Sequence, residues 1–236
     1  MALVKFGGGV VGMAGSIAGN TFARNRSGSY VRAKTKPINP RSSAQSLART
    51  TLATLTYRWS QILTAAQRTA WNLYASSVAM KNKLGETIFL SGFNHYIRSN
   101  AFLMARGETV VDAGPTIFEL PEKDPTIVIQ PMMHEVRAIL TFDDTMEWVD
   151  EDEAFLTIRE GAPQNAQRNF FNGPFLGWKD KAGDSGDPKT SPETFTNLHA
   201  LTTGQRVWYE LRIIRADGRL SSPWYVDNIV VAGPIA

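Results

Sequence analysis

"RVWYELRIIRADG", residues 206–218, decides how the C-terminal half of the chain is read. Apolar and polar side chains alternate along it, the period of a strand with two unlike faces. Val207, Tyr209, Leu211 and Ile213 point to a core in this reading, and Trp208, Glu210, Arg212 and Ile214 point away. The Ala-Asp-Gly end supplies the turn. Working outward, further strands are expected at 126–130, 136–142, 154–159, 170–178 and 225–231, separated by proline, glycine and acidic turns. About seven short strands over roughly 110 residues is the spacing of an antiparallel sandwich. The C-terminal domain is therefore placed at residues 115–236.

Upstream, residues 42–107 read as a helical docking domain. Ser42 or Ser43 caps a first helix with Leu47, Ala48, Leu52, Leu55, Trp59 and Ile62 on one face. Thr64 and Gln67 form a T-x-x-Q capping box for a second helix, which turns Trp71, Tyr74, Ala75 and Val78 to one side. Gly85 stops this second helix before a short strand or extended link, "ETIFL". Ser91 opens a third helix with Phe93, Ile97, Ala101 and Met104 facing inward, and Gly107 ends it. Trp59, Trp71, Phe93 and Ile97 are the expected core of this three-helix unit.

Residues 1–41 differ from both. They are rich in glycine, which disfavours helix by roughly 1 kcal/mol per residue. A strand over 21–24, a turn at Ser27-Gly28 and a strand over 29–32 make a hairpin, and "TKPINPRS" stays extended because of its prolines. Large apolar residues are too few for a private core, so the segment reads as an extended basic arm that needs another surface. The fold class is thus α+β and multidomain: arm with hairpin, three-helix unit, sandwich.

Charge divides the chain in the same sense. There is no Asp or Glu before Glu86; residues 1–106 hold 14 Lys and Arg against one acid, and residues 107–236 hold 11 against 21. The net charge of +3 therefore hides halves of +13 and −10. Such a split implies different electrostatic partners for the two regions. The basic part suits nucleic acid, an acidic protein surface, or the acidic half of a neighbouring copy. The candidate partner-binding residues are Phe22, Arg24, Arg26, Tyr30, Arg32, Lys34, Lys36 and Arg41. Phosphates and stacked bases would also engage them, although alternate residues of a ribbon face opposite ways.

Several chemistries find little support. Without cysteine there is no disulfide, thiol nucleophile or Cys-based metal site. His95, His134 and His199 are not at metal-ligand spacing and complete no nucleophile constellation. "GGGVVG" lacks the G-K-[ST] ending of a phosphate loop. The acidic stretches "DDTMEWVDEDE", 143–153, and "DKAGDSGD", 180–187, lack EF-hand spacing and read as solvated loops, calcium or a neighbour's basic arm being the other readings. The glycine pairs Gly8/Gly12 and Gly15/Gly19 have membrane-dimer spacing without an apolar span of membrane length. "AGSIA" after Lys5 can be forced into a signal-cleavage pattern, but no secretion signal is expected. No metal, cofactor, membrane or small-molecule substrate is expected.

Two resemblances add to this. "LHALTTGQRVWYELRIIRADGRLSSPW" resembles the E–F–G part of a fibronectin type III domain, with Leu198 before the corner, Thr203-Gly204 at the turn and Tyr209 at the corner-tyrosine position. It implies a fibronectin-like or immunoglobulin-like sandwich and no particular chemistry. "G-x-Y-V-R" at Gly28–Arg32, "P-x-N-P-x-S-x-x-Q" from Pro37 to Gln45 and "L-T-x-x-Q-R-x-A-W" from Leu63 to Trp71 resemble a group of uncharacterised tailed-bacteriophage and prophage proteins, over residues 15–100. That resemblance implies a structural component of a virion, on the head, connector or tail, assembled in the host cytoplasm and without enzymatic activity. A nucleic-acid-contacting protein using the same arm is the alternative. An enzyme or carbohydrate-binding sandwich, resting on aromatics such as Trp178 and Trp224, is a third.

Overall fold

The computed structural model describes residues 2–35, 39–82, 84–133, 137–181 and 190–233. Helices and antiparallel sheets are segregated along the chain, an α+β arrangement. Two compact units form, Met1–Gly114 and Pro115–Ala236.

The first unit opens with four short strands, β1 (Ala2–Leu3), β2 (Gly15–Ile17), β3 (Asn20–Asn25) and β4 (Gly28–Ala33), in sheet order β1-β4-β3-β2. The expected hairpin is β3–β4. Its turn sits one residue earlier than read, at Arg26-Ser27, because Asn25 pairs with Gly28 and the Asn25 side chain accepts from Ser27 N at 2.9 Å. The glycine-rich segment is also more than an extended arm. Ala18 and Gly19 adopt φ of 46° and 80°, the left-handed pair that a two-residue hairpin turn requires, and fold β2 back on β3.

Helix α1 (Ser43–Tyr57) runs into one π turn, Arg58–Ile62, then α2 (Ala65–Ser77), a hairpin of β5 (Ala79–Lys81) and β6 (Thr87–Phe89), and α3 (Gly92–Arg106). Helix α2 ends at Ser77 and not at Gly85, because Val78 turns extended at φ −95°, ψ 108° and leads into β5, which pairs with β6. Local chemistry sets the other helix ends. Ser42 caps α1, Thr64 and Gln67 bond reciprocally at α2, Ser91 caps α3, and Gly107 at φ 85° closes it. Trp71, Tyr74, Ala75 and Val78 are all buried. Two glycines let the chain press on Trp71: a Cβ on Gly114 would lie 2.7 Å from Trp71 N, and one on Gly92 would lie 2.8 Å from Trp71 C.

The other two helix faces differ from expectation. In α1 only Thr51 and Leu55 are buried, and Leu47, Leu52 and Ile62 remain half exposed. In α3 the inward stripe is His95, Tyr96, Ser99, Asn100, Phe102 and Leu103, while Phe93, Ile97, Ala101 and Met104 are only half-buried. The physical reason is that this stripe works through polar groups: the Asn100 amide grips Tyr96 O, Val111 O and Val111 N at 2.8–3.1 Å. An apolar periodicity cannot find it.

The second unit holds β7 (Val128–Pro131), β8 (Arg137–Thr141), α4 (Glu147–Asp150), β9 (Phe155–Gly161), β10 (Gln164–Asn165), β11 (Phe175–Lys181), β12 (Glu193–Thr196), β13 (Gln205–Ile214) and β14 (Trp224–Ile229). One antiparallel sheet runs β12-β8-β7; the other runs β10-β13-β9-β11, with β14 also on β13. Residues from both sheets share one core, including Ile129, Leu140, Leu156, Ile158 and the four inward residues of β13. The outer residues Trp208, Glu210 and Ile214 are buried as well, so β13 is covered on both faces. Strand β12, unexpected from sequence, has a single buried residue, Phe195. The strand expected at 170–178 starts only at Phe175: Phe171 instead turns its ring onto Trp208, 5.9 Å away and stacked at 16°.

Candidate functional site

The candidate contact residues that the structure describes are not brought onto one surface. Phe22 and Arg24 lie on β3, Tyr30 and Arg32 on β4, Arg26 in the turn between them, and Lys34 just beyond. Phe22 pairs with Val31 and Arg24 with Ser29, whereas Ala23 pairs with Tyr30 and Thr21 with Arg32. Paired residues share a face, so Phe22 and Arg24 occupy one face and Tyr30 and Arg32 the other. Arg41, at φ 51°, stands beside the α1 cap. Lys36, like the centre of the expected extended link at 36–38, lies outside the described residues.

This sheet has no interior. Among the described residues no side chain from Ala2 to Thr50 is buried. Ile17 is 66% exposed and Val11 99%. Lys5 reaches Glu86 at 2.8 Å, and Asn82 Nδ2 donates to Ser27 O at 3.4 Å, so the β5–β6 turn is tied to the sheet by polar contacts. The Lys5 ammonium, helped by Asn82, holds the Glu86 carboxyl below its usual range. Arg24, Arg26, Arg32 and Lys34 have no carboxylate partner among the described residues. Two- and three-stranded pieces without packing are marginal in water, and a sheet with no buried side chain among the described residues shares that weakness.

The helical core contains a polar lock that sequence reasoning missed. Arg58 Nη2 donates to Asp112 Oδ2 at 2.5 Å, Tyr96 Oη donates to Asp112 Oδ1 at 2.9 Å, and Trp71 Nε1 donates to Asp112 O at 3.1 Å. The hydrogen bond to Asp112 raises the Arg58 pKa. Burial, followed by Asp112, raises that of Tyr96. The arrangement fastens the segment after α3 onto the helices. Its only sequence signal was Asp112 itself, one of three acids in a unit otherwise basic. His95 is fully buried with neither ring nitrogen bonded among the described residues, and burial, with Arg98, lowers its pKa to about 4.

In the second unit Glu160 and His199 meet. Glu160 accepts from Leu198 N at 2.7 Å, His199 N at 3.2 Å and His199 Nδ1 at 2.9 Å. A carboxylate–imidazole pair is half of a nucleophile-activating array. Among the described residues no hydroxyl bonds the other His199 nitrogen, and the pair serves to hold the loop between β12 and β13. A cleft of about 690 Å³ is lined by Glu119, Lys123, Asp124, Met146, Trp148, Arg215 and Arg219. Asp124 accepts from Trp148 Nε1 and Thr126 Oγ1, Arg215 bonds Glu151, and Arg219 bonds Asp217.

The acidic stretch 143–153 is only partly a solvated loop. It contains α4, with Trp148 and Val149 buried. Asp143 bonds Thr145 and Asp144 accepts from Ser191 N. Among the described residues no three acids or histidines converge as metal ligands. Residues 182–187 of the second acidic stretch, and His134, lie outside the described residues. The Trp178 side chain does too, and Trp224 packs against the core instead of standing free.

No protein-family model and no curated protein matches the chain. Among solved structures it is similar to a family 76 glycoside hydrolase from a bovine Bacteroides thetaiotaomicron strain, at TM-score 0.31 and 11% identity over 47% of this chain. The match spans 20% of that protein's length, and a likeness this low carries no argument. Among the described residues no helix is long and apolar enough to cross a membrane.

Proposed function

We propose that the chain is a non-enzymatic structural component of a tailed-bacteriophage virion, on the head, connector or tail. It would bind and stabilise neighbouring subunits through its N-terminal sheet and helices. One observation carries this reading: the first 50 residues build a sheet and two turns of helix without burying a side chain among those described. Ordered strands with apolar tips and no core suit a surface supplied by something else. The resemblance of residues 15–100 to tailed-phage proteins points the same way.

For the second unit we propose a fibronectin-like or immunoglobulin-like sandwich used as a display or docking module. Its strand orders, β12-β8-β7 and β11-β9-β13-β14, support that reading. So does the buried Tyr209, whose hydroxyl bonds Asn197 upstream of the corner. Such a module implies no chemistry of its own.

A nucleic-acid contact is the second reading, favoured by the exposed cations of the hairpin. The readings separate on deletion of residues 1–41. Loss of incorporation into particles, with unchanged retention on duplex DNA, is the expected result. Particles that take up the truncated chain at full occupancy would sink the proposal.

A further inference from the structure

The partner of the N-terminal sheet can be specified further, resting on the reading of the chain as an assembly subunit. The unit Met1–Gly114 carries 14 Lys and Arg against three acids, a net of +11; the unit Pro115–Ala236 carries 11 against 19, a net of −8. The internal pairs of the first unit, Lys5–Glu86 and Arg58–Asp112, use two of its three acids. Arg24, Arg26, Arg32 and Lys34 are left exposed and unpaired among the described residues.

The second unit has the complementary excess. Arg215 engages Glu147 and Glu151, which still leaves Asp150, Asp152 and Glu153 exposed without a cation partner among the described residues. Phosphates would satisfy the cations of the sheet, but they offer nothing to Ile17, Val11 or Met13, which are 66%, 99% and 43% exposed. A protein surface offers both an apolar centre and a charged rim. The second unit has exposed apolar groups as well, Val128 and Tyr225 among them.

We infer that the basic N-terminal sheet docks, through the face that carries Ile17, Phe22 and Arg24, on the acidic C-terminal unit of a second copy of this chain, in a head-to-tail contact. The two surfaces differ, so the contact is heterologous: repeated copies close into a ring or continue as a helical array. Opposite potentials speed the encounter and set its register, and added salt weakens it.

Sedimentation velocity of the full chain, at 50 and 500 mM NaCl over a hundredfold range of concentration, tests this. Association is expected at low salt, with a dissociation constant at least tenfold weaker at high salt. Two variants, R24E/R26E and D150K/D152K/E153K, change only exposed side chains, and circular dichroism checks that each folds. Each alone should be monomeric, and an equimolar mixture should associate again. A wild-type chain that stays monomeric at every concentration overturns the inference; so does association that survives either reversal. Binding of a 20-base-pair duplex lost in the basic reversal, with no self-association to lose, overturns it in favour of nucleic acid. A monomeric chain that still enters particles only through residues 1–41 removes the self-contact and leaves the assembly reading standing.

Discussion

The Tyr209 hydroxyl donates a 2.9 Å hydrogen bond to Asn197 Oδ1, and neither residue is accessible to solvent to any useful extent. The bond joins the middle of β13 to the chain just after β12, across the turn between the two sheets. Burial first, and then the nearby Glu160 carboxylate, raises the Tyr209 pKa, so the group stays a neutral donor at any ordinary pH. Tyr209→Phe leaves the Asn197 oxygen buried and unsatisfied. A loss of about 1–2 kcal/mol is expected, read from urea unfolding with an unchanged m-value.

Asp112 should be the most sensitive polar position of the first unit. Asp112→Ala strands the Arg58 guanidinium and the Tyr96 hydroxyl together. A cost of about 2–3 kcal/mol is expected. In a double-mutant cycle with Tyr96→Phe the two losses should fall well short of adding, because one carboxylate serves both partners.

Gly114→Ala tests the close approach to Trp71. The new methyl would meet Ala70 Cβ and Trp71 N, both at 2.7 Å, and one of these is backbone that cannot swing aside. Destabilisation by about 1–3 kcal/mol is expected, with altered Trp71 fluorescence.

His95 predicts a pH dependence. Folded, its imidazole stays neutral down to about pH 4; unfolded, it takes a proton near its ordinary value of 6.5. Between those values the unfolded chain binds more protons, so stability is lost as pH falls from about 6.5 to 4. The loss approaches about 3 kcal/mol. The difference between wild type and His95→Phe in urea titrations at pH 7.0 and 4.5 isolates it from the carboxylates. Equal stability changes in the two proteins would refute the assignment.

What the sequence made legible was local. Thr64 with Gln67, Ser91 and Gly107 mark helix ends through hydrogen bonds made within one turn, and a linear reading finds them. The inward residues of β13 were legible because Glu210 and Arg212 alternate with them, whereas the cover over Trp208 and Ile214 on the other face was not. Helix α3 was not, since its buried face is built from His95, Tyr96, Ser99 and Asn100, residues that a hydrophobic period skips. Strand β2 escaped notice because it is three residues long and only Ile17 favours a strand; pairing with β3 imposes the conformation. Trp148 was hidden by the acids around it, although it is almost fully buried. As for the contact residues, their chemistry was readable but their division between two faces required the β3–β4 register.

The sheet β1-β4-β3-β2 has a thermodynamic consequence. Strands that hold no interior carry the entropy of their ordering into whatever contact covers them. A contact that covered this sheet would stiffen strands that nothing braces from within, so its affinity would be lower than the buried area suggests. In the assembly proposed above, a lone pair of subunits would be held weakly, and the ordering cost would be met only when several contacts close together.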